Sequence, residues 1–418
     1  MKKIISTLLI LSIATSAVSC TLPGKKESSF SMLDQGYAIP VRDQGPPGAC
    51  VAYAFTTAAE YNLRYTLGDD IEILPDDLIR DAAGPDKEEG YILLADSYVS
   101  WALMSEFELQ AALADGFEGY TLISSPFYLQ FSEERAASRD TIKEAIRTYG
   151  SVIASVNIST PTCMGWHDGY YTYFNAGANQ NHEITILGWD DNFSKDNFGG
   201  HAQSDGAWLA QNSFGDSWGD GGYFWISYEA DVQLISSVQL SDRYSEVISY
   251  SVDFGYNSEL INTGSDTYIG NVYEHQGTIG GIGTYVGVTD GADGYPDLYM
   301  DPVNITVEIR SSDFSQVLYT QDATFDLPGY YVVELEEEVE VNGSFAAVII
   351  YHDSQWAAVE GGSQENVTVQ ARYVTSINEG ESFVLINDEW QDLADPATID
   401  TLGLEHETCN PYVNVLFI

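Results

Sequence analysis

Four residues between positions 44 and 212 have the types and the spacing to do thiol chemistry. Cys50 closes the stretch "VRDQGPPGAC" and opens a run with helical spacing, "VAYAFTTAAEYNL". A thiol at the first turn of a helix meets unpaired N–H groups and the positive end of the peptide dipole, which favour the thiolate. His182, in the apolar stretch "NHEITILGWDDN", follows about 130 residues later, a separation suited to a nucleophile and base that meet only in the fold. Asn212, in "WLAQNSFGDSWGDGGYFWISY", comes next, with Phe214 and Trp218 close by to shield it. Gln44 precedes the cysteine and can offer its side-chain N–H beside the Cys50 backbone N–H to a developing oxyanion. In this arrangement His182 takes the thiol proton and returns it to a leaving amine, while Asn212 holds the other ring nitrogen. Gly48 and Ala49 leave room for a substrate backbone to approach the sulfur. A lone cysteine at a helix start is ordinarily structural. Gln44, His182 and Asn212 in order make Cys50 the expected nucleophile.

The elements that must position these groups change character along the chain. Val51, Ala54, Phe55, Ala58, Ala59 and Leu63 recur at helical spacing and predict a helix from Cys50 to about Leu67. "YILLADSYVSWALMS" reads as another helix, and "RDTIKEAIRTYG" as a short amphipathic one that Gly150 ends. From there the period shortens. "SVIASVNIS", "HEITILGWD", "AWLAQNSF" and "GYFWISY" are strand-like runs separated by turn residues, and beyond about residue 240 nearly everything reads as strand and turn. Strand alternation predicts that Asn181 and Glu183 share one face while His182 takes the other. The acidic run "ELEEEVEV" alternates with Leu and Val, as an edge or half-exposed strand would. The fold class is α+β: a helical lobe and a β-barrel-like lobe, followed by an all-β sandwich.

Composition bounds the partners. The chain has 418 residues and a formal charge of −47, from 16 basic and 63 acidic residues. Such a surface repels nucleic acid and anionic membranes and suits a salty or cation-rich medium. The start, "MKKIISTLLILSIATSAVSC", has the layout of a bacterial export signal. "AVSC" reads either as a lipobox that puts a lipid on Cys20 or as an ordinary small-x-small cleavage site; membrane contact is expected only through that lipid. Cys50, Cys163 and Cys409 remain, too few for a disulfide scaffold, though Cys163 and Cys409 have the option of pairing. His167, His201, His275, His352 and His406 show no zinc-like spacing, so neither metal nor cofactor is expected. Asp290, Asp293 and Asp297 in "TDGADGYPD" read first as an acidic turn and second as calcium ligands. Tyr295, Tyr299 and Trp356 read first as sandwich core and second as sugar-stacking rings.

Three blocks, "DQGPPGAC", "NHEITILGWDD" and "QNSFGDSWGDGGYFWISY", resemble in order the Gln–Cys, His and Asn blocks of the papain-like cysteine peptidases. "GWDDNFSKDNF" and the β-rich tail resemble further the bacterial and archaeal branch with a C-terminal lectin-like domain. The resemblance implies a signal peptide at 1–19, a tether at 20–33, a papain-like peptidase domain at 34–237 and a lectin-like β-sandwich at 238–418. It implies catalytic roles for Gln44, Cys50, His182 and Asn212, and a substrate pocket involving Gly48, Asn181 and Glu183. The sequence departs from the family at Pro47, Val51, Phe214 and Glu183, and residues 20–34 leave no room for a long inhibitory propeptide. Glu183 stands where the family has a small residue. It is expected either to make that pocket select Arg or Lys, or to bond a neighbouring segment. The expected function is an exported, lipid-anchored or secreted cysteine endopeptidase acting on proteins or peptides, with a carbohydrate or surface ligand for the tail. The rivals are a surface-binding protein with an inactive peptidase-like domain and, ranked lower, a peptidoglycan-cleaving cysteine enzyme, whose histidine normally follows much sooner.

Overall fold

The computed structural model describes residues 27–45, 49–77, 109–110, 113–114, 116–117, 119–128, 139–159, 161–177, 180–251, 258–290, 296–298, 301–361, 378–404 and 409–418. The export stretch, Cys20, Gly48, the run "YILLADSYVSWALMS", Asp293, Tyr295, Tyr299 and His406 lie outside them.

Helix α1 (Cys50–Asn62) runs on through a π-turn, Leu63–Leu67, to Gly68. Its small and apolar residues put it inside: Val51, Ala52, Ala54, Phe55, Ala58 and Ala59 are all buried. A helix apolar on most of its surface has to be covered on most of its surface. One side packs on Leu122, Leu240, Tyr285 and Tyr330, and on another the Thr185 hydroxyl donates to the Ala54 carbonyl at 3.1 Å. Burying the Phe55 ring alone contributes about 2 kcal/mol. Helix α2 (Arg139–Tyr149) buries Ile142, Ala145 and Ile146. Gly150 ends it at φ +95°, where a Cβ would sit 3.0 Å from the Tyr61 carbonyl oxygen. Asn62 ties these parts together: its amide donates to the Tyr149 carbonyl at 3.0 Å and accepts from the Leu240 N–H at 2.8 Å.

The β lobe is built from β1 (Ser29–Ser31), β2 (Thr121–Tyr128), β3 (Val152–Val156), β4 (Cys163–His167), β5 (Tyr170–Phe174), β6 (His182–Asp190), β7 (Ala207–Gln211), β8 (Tyr223–Ser227) and β9 (Gln233–Ser236). Strand β6 is central, paired antiparallel with β3 and β7. Ile184, Ile186, Val152, Ala154, Tyr173 and Phe224 fill the core behind it. Residues 29–31 correct one expectation. They are not tether but strand, pairing Phe30 with Trp189 and Ser31 with Gly188 of β6. Gly188 permits this, because a Cβ there would lie 2.5 Å from the Phe30 carbonyl oxygen.

The tail is dominated by two long antiparallel strands, Thr267–Val286 and Gly329–Tyr351, flanked by Val303–Ser311, Val317–Phe325, Ser382–Ile386 and Asn414–Phe417. The core between them is branched aliphatic, including Ile269, Ile282, Val307, Ile349 and Val415. In the acidic run Leu335 is buried while Glu336, Glu337 and Glu338 are exposed. Strand β2 belongs to both parts: it pairs with β9, with Gln239–Ser241 and with Gly329–Tyr331. Trp356 is half-buried. Cys163 carries a free thiol in one buried cluster and Cys409 lies in another, so the two do not pair.

Candidate active site

The site forms where the start of α1, the start of β6 and the turn after β7 converge. The segment before α1 and the turn after β7 are zipped together. Gln44 N–H donates to the Ser213 carbonyl at 2.8 Å, Gly215 N–H donates to the Arg42 carbonyl at 3.0 Å, and Asp43 bridges Phe214. The Ser213 hydroxyl also donates to Gln44 Oε1 at 2.5 Å. That bond sets the flip of the Gln44 amide and makes Nε2, the donor branch, point the other way. Arg42 then clamps the segment to α1, with Nη1 and Nη2 donating to the two Glu60 oxygens at 2.9 and 2.7 Å. The pair is nearly dry on the Glu60 side, which also accepts from Ile73 N–H at 2.6 Å.

His182 and Asn212 meet as their order in the chain anticipates. His182 Nε2 lies 2.7 Å from Asn212 Oδ1, which also accepts from the Ser213 N–H at 2.8 Å. Since Oδ1 is the acceptor, the ring carries its proton on Nε2 and leaves Nδ1 as the basic nitrogen. Phe214 stacks on the imidazole at 4.8 Å and 29°, and Trp218 stands edge-on behind it at 5.7 Å. Burial of the ring outweighs the Asn212 hydrogen bond and pushes the His182 pKa down to about 4.

Cys50 corrects the expectation of a thiolate at a helix start. Burial pushes its thiol up to about 11, and the Glu183 carboxylate adds to the rise. Backbone N–H groups of Glu183, Val51 and Cys50 itself favour the thiolate but do not win. Desolvation beats the helix end because one turn of partial charge is worth about 1 kcal/mol and loss of hydration costs more. Among the described residues no hydrogen bond joins the Cys50 thiol to His182.

Glu183 is 3 % exposed and turns away from the ring of His182 toward α1. Its carboxylate accepts from the Ser155 hydroxyl, its register partner on β3. With Arg42, Tyr53, Thr57 and Thr185 it lines a narrow crevice between α1 and β6. Of the two expectations for this residue, the bond to a neighbouring segment is the arrangement found. Asn181 is exposed and does not share that position: its amide bonds the Ser159 hydroxyl and its oxygen accepts from Ile158 N–H at 3.0 Å.

Sequence reasoning missed three contributors. Ser213 orients Gln44, Arg42 with Glu60 clamps the loop, and Ser155 donates to one Glu183 oxygen. Ser213 and Arg42 sit beside residues already singled out, and an arginine is conspicuous in a chain with 16 basic residues. The other described histidines are engaged elsewhere. His275 faces Glu246 at 3.3 Å, His352 faces Asp266 at 3.1 Å, His201 stacks on Phe174, and His167 bonds Thr172 at 3.0 Å. Among the described residues no three His, Cys, Asp or Glu side chains gather as a metal site.

Residues 123–242 match the papain family cysteine protease profile, a span that contains the His182 and Asn212 blocks. Mouse cathepsin K is 23% identical over 215 residues, 48% of this chain and 59% of its own. Chicken cathepsin K is 24% identical over 205 residues, 45% of this chain and 55% of its own. The chain thus spans a little over half the length of these curated relatives. Fold and comparisons together define a papain-like fold with a β-rich C-terminal part, similar over residues 123–242 to the papain family cysteine proteases. Its two-part architecture is similar to that of Cwp84, described as a clostridial cysteine protease after propeptide cleavage, with a TM-score of 0.65, 18% identity and coverage of 93% of this chain and 98% of that one. A second Cwp84 structure comprises the cysteine protease and lectin-like domains of a surface layer associated protein of Clostridium difficile. It gives a TM-score of 0.63 at 17% identity, covering 94% of this chain and 89% of its own.

Proposed function

We propose that the protein is an exported cysteine endopeptidase in which Cys50, His182, Asn212 and Gln44 carry the reaction. The observation that supports this best is the His182–Asn212 bond of 2.7 Å under the Phe214 ring, at the strand end facing the start of α1. Cys50 gives its proton to His182 Nδ1 as the sulfur attacks the substrate carbonyl carbon. The resulting oxyanion lies between the Cys50 backbone N–H and the Gln44 side-chain N–H. Collapse breaks the C–N bond, the amine leaves with the proton from His182, and a thioester remains. Water then gives a proton to His182 and attacks the thioester; the acid departs and Cys50 regains its proton. Asn212 keeps the ring oriented through both steps.

Export is read from the signal-like stretch at 1–19, followed either by a lipid on Cys20 or by ordinary cleavage and secretion. The tail is read as a module for a carbohydrate or surface ligand, on the analogy of the lectin-like domain named for Cwp84. One observation favours the rival, an inactive peptidase-like domain on a surface-binding protein: among the described residues no hydrogen bond joins the Cys50 thiol to His182, and burial pushes the thiol pKa up. A thiol-reactive peptide probe and a substrate-library cleavage profile separate the two. Turnover and labelling should vanish in Cys50→Ala, nearly vanish in His182→Ala, and fall about 10²–10³-fold in kcat for Gln44→Ala. Hydrolysis unchanged by Cys50→Ala would overturn the assignment.

A further inference from the structure

The ring that covers His182 is the inner end of a longer row. Phe214 meets Trp218 edge-on at 5.7 Å, Trp218 lies 4.8 Å from Tyr171, and Tyr171 meets Trp166 edge-to-face at 5.6 Å. Tyr171 and Trp166 are register partners across the β4–β5 hairpin, so the hairpin supplies the outer half of the row and the turn after β7 the inner half. Exposure grows outward: Phe214, Trp218 and Tyr171 are half-buried, while Trp166 is 57 % exposed, the most open large hydrophobic side chain among the described residues. Asp168 in the hairpin turn and Asp216 and Asp220 either side of Trp218 are exposed. An open indole continuous with the site, in a segment rich in carboxylates, is a binding surface rather than core.

The geometry points to a subsite on Trp166 and Tyr171 for the leaving-group side of a polypeptide substrate, selecting Arg or Lys there. This rests on the peptidase reading, which supplies the direction. His182 protonates the departing amine, so the departing segment must lie on the His182 side of Cys50, where the row begins. Four ring-to-ring steps of this size span at most about six residues of extended chain. Ring faces bind guanidinium and ammonium groups through their quadrupole, and neighbouring carboxylates favour cations over anions. The fold uses the same contact internally, with Arg147 and Arg139 each 4.6 Å from the ring centres of Trp189 and Tyr228.

The test uses the full chain and peptides sharing one acyl side, with Arg, Leu or Glu at each of the first few positions past the cleaved bond. In wild type the kcat/KM order should be Arg over Leu over Glu at one or more of these positions. Trp166→Ala should shrink the Arg-to-Leu ratio about two- to fivefold, and Trp166→Phe, which keeps a ring, should retain most of it. A ratio identical in wild type and Trp166→Ala overturns the subsite. Because the peptidase reading can fail separately, the same Arg and Leu peptides are titrated calorimetrically into Cys50→Ala with and without Trp166→Ala. Selective weakening of the Arg peptide by Trp166→Ala supports the subsite even if wild type shows no turnover, a result that would count against the peptidase alone. Equal affinities in the two backgrounds overturn the subsite.

Discussion

Acidification from pH 7 to pH 4 should cost this protein the stability that depends on keeping His182 neutral. The ring is 4 % exposed, and burial lowers its pKa from 6.5 to about 4 in the fold. Between those values the unfolded chain takes up a proton that the folded chain refuses, so the unfolded state gains as the pH falls. The stabilisation is complete above pH 6.5 and is lost progressively on the way down to about pH 4. A difference of 2.5 units corresponds to about 3 kcal/mol, at roughly 1.36 kcal/mol per unit. Protonation of the 63 acidic residues also changes stability over this range. The informative quantity is therefore the difference between wild type and His182→Gln, which cannot titrate at that position but feels the same surrounding charges. Urea unfolding of both proteins at pH 7, 5.5 and 4 measures it. The wild-type minus variant difference should fall by about 3 kcal/mol, which at an m-value of 2–3 kcal/mol/M is about 1 M in midpoint. A constant difference, or one that grows on acidification, would refute the reasoning. A constant difference would show an imidazole whose pKa the fold leaves unshifted, and a growing one an imidazole that the fold holds charged, as in a thiolate–imidazolium pair.

Three further outcomes follow from the same geometry. Removing the charge beside Cys50 in Glu183→Gln should lower the thiol pKa from about 11 and speed alkylation by iodoacetamide at pH 8, while leaving the Arg-to-Leu preference on the acyl side of the cleaved bond unmoved; slower alkylation, or a shift toward Leu, would contradict the placement of Glu183. Phe214→Ala opens the His182–Asn212 bond to water and should lower kcat roughly tenfold and stability by about 2 kcal/mol, with Phe214→Trp near wild type, so full activity in Phe214→Ala would dismiss the shield. Self-repulsion at a net charge of −47 should raise the thermal midpoint from low to molar NaCl, and a flat or falling curve would end the idea of salt adaptation.

The site was legible because its chemistry is tied to residue types that stand out locally. Gln44, Cys50, His182 and Asn212 sit in short blocks whose order survives any folding, and the structure brings the His182 and Asn212 blocks into contact at 2.7 Å. Helix α1, the helix ended by Gly150 and the strand at His182 were equally readable, since each carries its own period of apolar residues. The reading failed where a residue's state depends on what arrives from far along the chain. Residues 29–31 look like tether because three residues carry no period, yet Gly188 leaves a slot in which they complete a sheet.

The sequence by itself determined which groups are available for thiol chemistry, the change from helical to strand period, and the extreme charge. Tertiary structure decided how those groups are electrically set. The helix start argued for a thiolate at Cys50, but desolvation of the half-buried thiol, with the Glu183 charge beside it, reverses the direction. Alternation predicted only that Glu183 and His182 take opposite faces; that the Glu183 carboxylate bonds Ser155 followed from the pairing of β3 with β6. The physical reason is common to both cases. Period, capping and motif order are properties of neighbours in the chain, whereas desolvation and buried hydrogen-bond partners are properties of neighbours in space.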